Sequence, residues 1–465
     1  MTSTLSRRRF LQQSAAVALG FAGLRSFLQA APVRPGGTPS PFGPLQRDPA
    51  KIFDLPPEFR YHQVGEFGAR MDDGLICPGA IDGSASFAMP YGKVLLVRNH
   101  ELEPNPKLAQ LGAFGPGNRL LSRDWARRMY DPGNGRVIGY GGTTSLLYNP
   151  QSGQAERLHL SLAGTERNCA GGPMPWDSWI SCEETTVTPK MTPGLRREHG
   201  YNFEVSAYET GAVEPVPLRD MGRFRHEAVA ADPATGFIYQ TEDLDDGLIY
   251  RFRPNQPGKL RAGGRLEALA IKGRPSLDTR NWQADAIRTG ERLPVEWVGL
   301  RDVESPKDDL RYQGFGRGAA RFARAEGMWY GNDAVYFACT TGGRARLGQI
   351  WKLELGRPQE LELFVEPNDG NLLENADNLC VAPWGDLIVC EDNTKHATSS
   401  EQYLIGVTPE GKCYRLGRNA LNTSELSGVN FSPDGQTLFV NIMYPGATLA
   451  ISGPWEKALR SRLRG

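Results

Sequence analysis

Short apolar runs recur along the chain: KVLLVRNHE from Lys93, SWISCEET from Ser178, FIYQTEDLDDG from Phe237, AVYFACTTGG from Ala334, DLIVCEDN from Asp386 and TLFVNIMYPG from Thr437. Each is followed by a second run of the same kind: TSLLYNP, YNFEVSAYE, LIYRFRP, QIWKLEL, YLIGVTP and TLAISGPW. Their β-branched and aromatic content favours strands over helices. Turns such as ADPATG, APWGD and SPDGQ supply hairpin chemistry between them. Six such pairs, each with a short strand before it, predict an all-β fold, a six-bladed β-propeller. A β-sandwich would not need six copies of one strand-pair pattern. The spacing is uneven, so the inserts at 102–140 and 254–322 are expected to carry short helices or long loops over one face.

The register of the polar residues carries the chemistry. Upstream of four runs lie ERNCAGG (Asn168, Cys169), RHEAVA (His226, Glu227), ARAEGMW (Arg324, Glu326) and ENADNLCV (Asp377, Asn378). The first strand of a propeller blade lines the central channel, so these residues are predicted to converge on the axis. Further acids stand at the strand exits: Glu101, Glu183 and Glu184, Glu242 and Asp243, Glu391 and Asp392. Carboxylates gathered in a low-dielectric channel cannot all stay charged without cations. Oxygen ligands suit calcium, whereas a thiolate from Cys169 prefers a softer transition metal such as iron. Taken singly, each acid reads as a solvated loop carboxylate and Cys169 as a small buried hydrophobe. Recurrence at one register favours the joint reading.

Composition narrows the classes. Lys plus Arg (53) equals Asp plus Glu (53), so no basic excess points to nucleic acid. Gly (54) and Pro (34) are too frequent for a helical bundle. The seven cysteines are too sparse for a disulfide scaffold and form no CxxC pair; Cys182, Cys339, Cys380 and Cys390 fall in apolar strands as core. No GxSxG or HExxH motif is present. At the N-terminus Arg7, Arg8 and Arg9 precede Phe10, Leu11 and a short apolar run to Leu24, the pattern of a twin-arginine export signal. The expected organisation is a signal over 1–31, a Pro/Gly-rich linker over 32–50 and a single propeller over 51–465. No later stretch is apolar enough for a stable membrane span in the mature chain.

The segments NCAGGPMPWDSWISCEET, GRFRHEAVA, ARAEGMW, NADNLCVAPWGDLIVCED and GVNFSPDGQTLFVNIMYPG resemble, in order, the PhoX family of secreted alkaline phosphatases. The resemblance runs from about residue 60 to about 455. It implies a six-bladed propeller holding two Fe3+ and two or three Ca2+ ions in the channel. By position it makes Cys169 the thiolate ligand to iron, and Glu227 and Glu326 carboxylate ligands of the same cluster. It makes Glu183, Glu184, Asp377 and Glu391 calcium-ligand candidates, and Arg324 the group that holds phosphate. Small phosphate esters are the implied substrates, the twin-arginine machinery the implied partner, and the periplasm or exterior the implied location. The family pattern has Arg-Pro-Glu where this chain has Arg324, Ala325 and Glu326. Two rivals keep the acids: a calcium-dependent lactonase, which has no use for Cys169, and a non-catalytic propeller stabilised by metal.

Overall fold

The computed structural model describes residues 37–105, 108–392 and 399–458. The export signal expected over 1–31 lies outside the described residues. The fold is all-β and propeller-like, with few helices. Six inner strands are labelled here: β1 (Ile81–Met89), β2 (Asn168–Met174), β3 (His226–Ala231), β4 (Ala325–Gly331), β5 (Ala376–Val381) and β6 (Leu426–Phe431). Each packs against the next, and β6 packs against β1, so the six close into a ring. Each also pairs antiparallel with the apolar run that follows it, as β2 does with Ser178–Glu183 and β4 with Ala334–Cys339.

Hydrophobic clusters fill the spaces between neighbouring sheets, which explains why the runs read as continuously apolar. Along Ala334–Cys339, Val335 and Phe337 pack toward Tyr239 and Ile249, while Ala334, Tyr336 and Ala338 pack toward Val389 and Ile405. The strand's period of two thus feeds two cores at once. Burial of each large side chain contributes about 1.5–3 kcal/mol.

Three features depart from the sequence expectation. Among the described residues the hydrogen-bonded sheets number five, one of them nine-stranded, because Arg292–Gly299 pairs with Glu360–Val365 and joins two neighbours at their outer edges. The insert at 254–322 accordingly holds two strands, Gly264–Ile271 and Arg292–Gly299, beside a short helix at Leu310–Gly316. The segment expected as linker is packed from Thr38 onward. Thr38 donates its N–H to the Cys413 carbonyl at 2.8 Å, and Leu45 and Phe42 are buried, Phe42 among Phe59, Trp384 and Trp455. Just beyond it, Arg60–Glu66 pairs with Ala447–Ser452, so an early and a late segment of the described chain share one sheet.

Candidate metal centre

Every inner strand carries a bulge near its start, where pairing with the following strand slips: between Ile81 and Ser84, Asn168 and Gly171, His226 and Val229, Ala325 and Met328, Ala376 and Leu379, and Ser427 and Asn430. A bulge re-aims side chains at one point of a strand. The second residues of the first five strands stand at that point: Asp82, Cys169, Glu227, Glu326 and Asp377; in β6, Ser427 is still paired, with Asn441. All are buried. The residues after them are small or short, and the strands approach closely there. A Cβ on Gly83 would lie 2.5 Å from the Ala170 Cα, and one on Gly327 would lie 2.6 Å from the Asp377 carbonyl. These contacts floor the channel beneath the acids.

Three groups bring ligand atoms within 4.8 Å of one another: Asp82, Glu101 and Cys169; Cys169, Glu184 and Glu227; Glu227, Glu326 and Asp377. Of the residues expected as ligands, the structure therefore gathers Cys169, Glu184, Glu227, Glu326 and Asp377. It adds Asp82 and Glu101. Asp82 was legible as the same pattern, an acid or thiol followed by a small residue, in Ile81-Asp82-Gly83 and Asn168-Cys169-Ala170.

Glu183 and Glu391 lie elsewhere, for a reason of register. The second-strand residues paired with the first residues of β2, β3 and β5 are Glu183, Glu242 and Glu391. Their carboxylates are turned into the sheets. Glu183 accepts from the N–H groups of Glu166 (2.9 Å), Gly200 (2.8 Å) and Tyr201 (3.1 Å) and contacts His199 Nδ1 at 2.6 Å. Glu391 accepts from Glu374 N (2.9 Å) and Tyr403 N (3.2 Å). Glu242 accepts from Leu248 N (3.1 Å) and the Tyr250 hydroxyl (2.7 Å). In each acidic pair the first residue braces its sheet. Two such partners, Glu184 and Asp243, stand among the channel groups, with Glu184 in a cluster above and Asp243 holding Arg324.

Other conspicuous polar residues are also structural. His226 stacks on Phe224 at 3.6 Å, and burial holds its imidazole down at about 3, so it stays neutral. Asn99 donates to the carbonyls of Cys169 (3.0 Å) and Ala170 (2.6 Å) and thereby fixes the strand that presents the thiol.

The electrostatics demand a counter-charge. Burial, then the neighbouring acids, pushes Asp82, Glu227, Glu326 and the Cys169 thiol well above their ordinary values. Burial and the charge of Asp392 raise Asp377 to about 8. Both oxygens of Glu227 are buried without a hydrogen-bond partner among the described residues. Such an orphaned carboxylate is costly unless protonated or bound to a cation. The donor set therefore fits metal ions. At the rim, Arg324 donates from Nε and Nη2 to Asp243 (2.9 and 3.1 Å) and from Nη2 to Glu326. The fork expected to hold phosphate is engaged with acids of the same channel.

Fold and site together define an all-β, propeller-like protein with a buried acidic and thiol cluster able to bind metals. The chain belongs to the alkaline phosphatase PhoX family, whose model matches residues 40–446, and is a phosphoric monoester hydrolase. No curated protein matches it by sequence. Among solved structures it is similar to a gluconolactonase from Xanthomonas campestris, with 12% identity over 89% of this chain and 99% of that one at a TM-score of 0.40. It is also similar to the WD40 β-propeller domain of Doa1, with 6% identity over 85% and 98% at 0.38. At these scores the likeness bears on neither activity nor substrate. Among the described residues no helix is long and apolar enough to cross a membrane.

Proposed function

We propose that this protein is an exported phosphomonoesterase whose six-bladed propeller holds iron and calcium at the channel mouth. The nine-stranded sheet is read as two blades joined at their edges, one beginning at β3 and one at β4. The observation that carries the metal reading is the orphaned Glu227 carboxylate amid Cys169, Glu184, Glu326 and Asp377. Cys169 would ligate iron, because a thiolate favours a transition metal over calcium. Asp82, Glu101, Glu184, Glu227, Glu326 and Asp377 offer oxygen ligands, which suit calcium as well. Bound cations supply Lewis acidity at phosphoryl oxygens and lower the pKa of water. The chain itself orients the substrate: Arg324, held at the rim by Asp243 and Glu326, would donate its remaining N–H groups to the phosphate oxygens. The strand floor beneath the acids keeps bulk water out from below. The twin-arginine signal would carry the chain to the periplasm or beyond.

The test is elemental analysis of protein recovered from its native export route, with a phosphate-monoester assay on the same preparation. Iron with calcium and monoester turnover is the expected result. Calcium alone with lactone hydrolysis, or little metal and no turnover, would replace this reading with a lactonase or a binding propeller.

A further inference from the structure

The residue before each inner strand gives its carbonyl to the N–H that follows the second strand. The pairs are Ala80 with Glu101 (2.9 Å), Arg167 with Glu184 (2.9 Å), Arg225 with Asp243 (3.3 Å), Arg324 with Thr340 (2.9 Å), Asn375 with Asp392 (3.0 Å) and Glu425 with Met443 (3.2 Å). On three consecutive strands that residue is arginine. Two of these, Arg167 and Arg324, also share a left-handed backbone, with φ of 44° and 49°. Ala80 and Asn375, at the equivalent positions, share it (47° and 50°), so this backbone belongs to the repeat, and it is the side chain that sets the arginines apart.

The same backbone launches the same side-chain arrangement. Arg167 donates from Nε and Nη2 to Glu101 (3.1 and 2.7 Å) and from Nη2 to Glu184 (2.6 Å), as Arg324 does to Asp243 and Glu326. The charge of Asp243 acts on Glu184, so the two arginines and their partners lie along one arc: Glu101, Arg167, Glu184, Asp243, Arg324, Glu326. Within that arc the guanidinium groups are the exposed members. Their side chains are 32% and 29% accessible, against 15% or less for the four acids. Arg167 stands two residues before Cys169 and Arg324 two before Glu326, with β3 and Glu227 between those strands in the ring.

We infer that Arg167 is a second phosphate-binding residue, paired with Arg324, and that the pair selects dianionic phosphate monoesters over monoanionic diesters. The inference rests on the phosphomonoesterase reading. A monoester dianion offers three non-bridging oxygens, enough to engage the outward N–H groups of two guanidiniums, whereas a diester offers two oxygens and half the charge.

The test compares wild type, Arg167→Lys and Arg167→Met on p-nitrophenyl phosphate and bis(p-nitrophenyl) phosphate, with orthophosphate inhibition, calorimetric orthophosphate binding, metal content and melting on the same preparations. Loss of one charge-assisted contact should raise the monoester KM and the orthophosphate inhibition constant about ten- to hundredfold in Arg167→Met. Diester kcat/KM should change less, Arg167→Lys should fall between, and metal content should hold. Unchanged orthophosphate binding, equal losses on both esters, or metal loss in both variants would overturn the inference. If wild type hydrolyses neither ester, the phosphomonoesterase reading fails by itself. Orthophosphate binding by wild type and not by Arg167→Met would still uphold Arg167 as an anion site, and no binding by wild type would overturn both.

Discussion

The thiol of Cys169 donates to Oδ2 of Asp82 at 3.0 Å, from the second residue of β2 to the second residue of β1. Two groups so close cannot both be anionic in a buried site unless a cation compensates them. Cys169→Ser keeps the size and the hydrogen bond and loses the thiolate. Iron content and turnover should fall together while melting of the fold persists. Full iron in the serine variant would remove Cys169 from the ligand set.

Metal removal should make stability pH-dependent with a definite sign. Burial, then Asp392, lifts Asp377 to about 8 in the metal-free chain. Unfolded, the same group releases its proton near pH 4. Between these values the folded state binds more protons than the unfolded state, so stability falls as pH rises, by up to about 1.4 kcal/mol per unit for this group. Thermal melts of chelated protein from pH 5 to 8.5 should decline, and restored iron and calcium should flatten the curve. A flat curve without metal would contradict the electrostatic account.

Glu183 and Glu184 are adjacent and should behave oppositely. Glu183 sits beside His199, whose burial opposes charge but is outweighed by Glu183 and Asp131, lifting it to about 10. The stability from that cation is complete below about pH 6.5 and is lost as pH rises through its folded value. Glu183→Ala removes a buried partner and should destabilise by about 3–5 kcal/mol. Glu184→Gln should leave metal-free melting equal or higher and weaken metal binding. Melting and metal titration of both variants decide the assignment.

Arg324→Lys keeps the charge and loses the fork, so it should retain part of the activity. Arg324→Ala should lose on the order of 10²–10³ in rate with metals still bound, because arginine donates and does not ligate. Wild-type turnover in the alanine variant would end its role at the phosphate.

Lysine at both Arg7 and Arg8 should hold the precursor in the cytoplasm. Fractionation checks this, and normal accumulation of that variant outside would point to another export route.

The sequence by itself carried the strand pairs, the all-β class, the family motifs and most of the cluster. Apolar runs and turn residues act locally, and NCAGG or RHEAVA stand out without any fold. It could not separate Glu183 from Glu184 or Glu391 from Asp392, since neighbouring residues on a strand share composition and differ only in the face they take. Asp82, in AIDGSAS, carries the same acid-then-small pattern, but only the closed ring sets it beside Cys169 and Glu101. Tertiary structure decided these points. The bulges, not the alternation of residues, turn the second residue of the first five inner strands into the channel. The pairing of Arg60–Glu66 with Ala447–Ser452 likewise joins segments almost a chain length apart. Such contacts depend on ring closure, which no local pattern encodes.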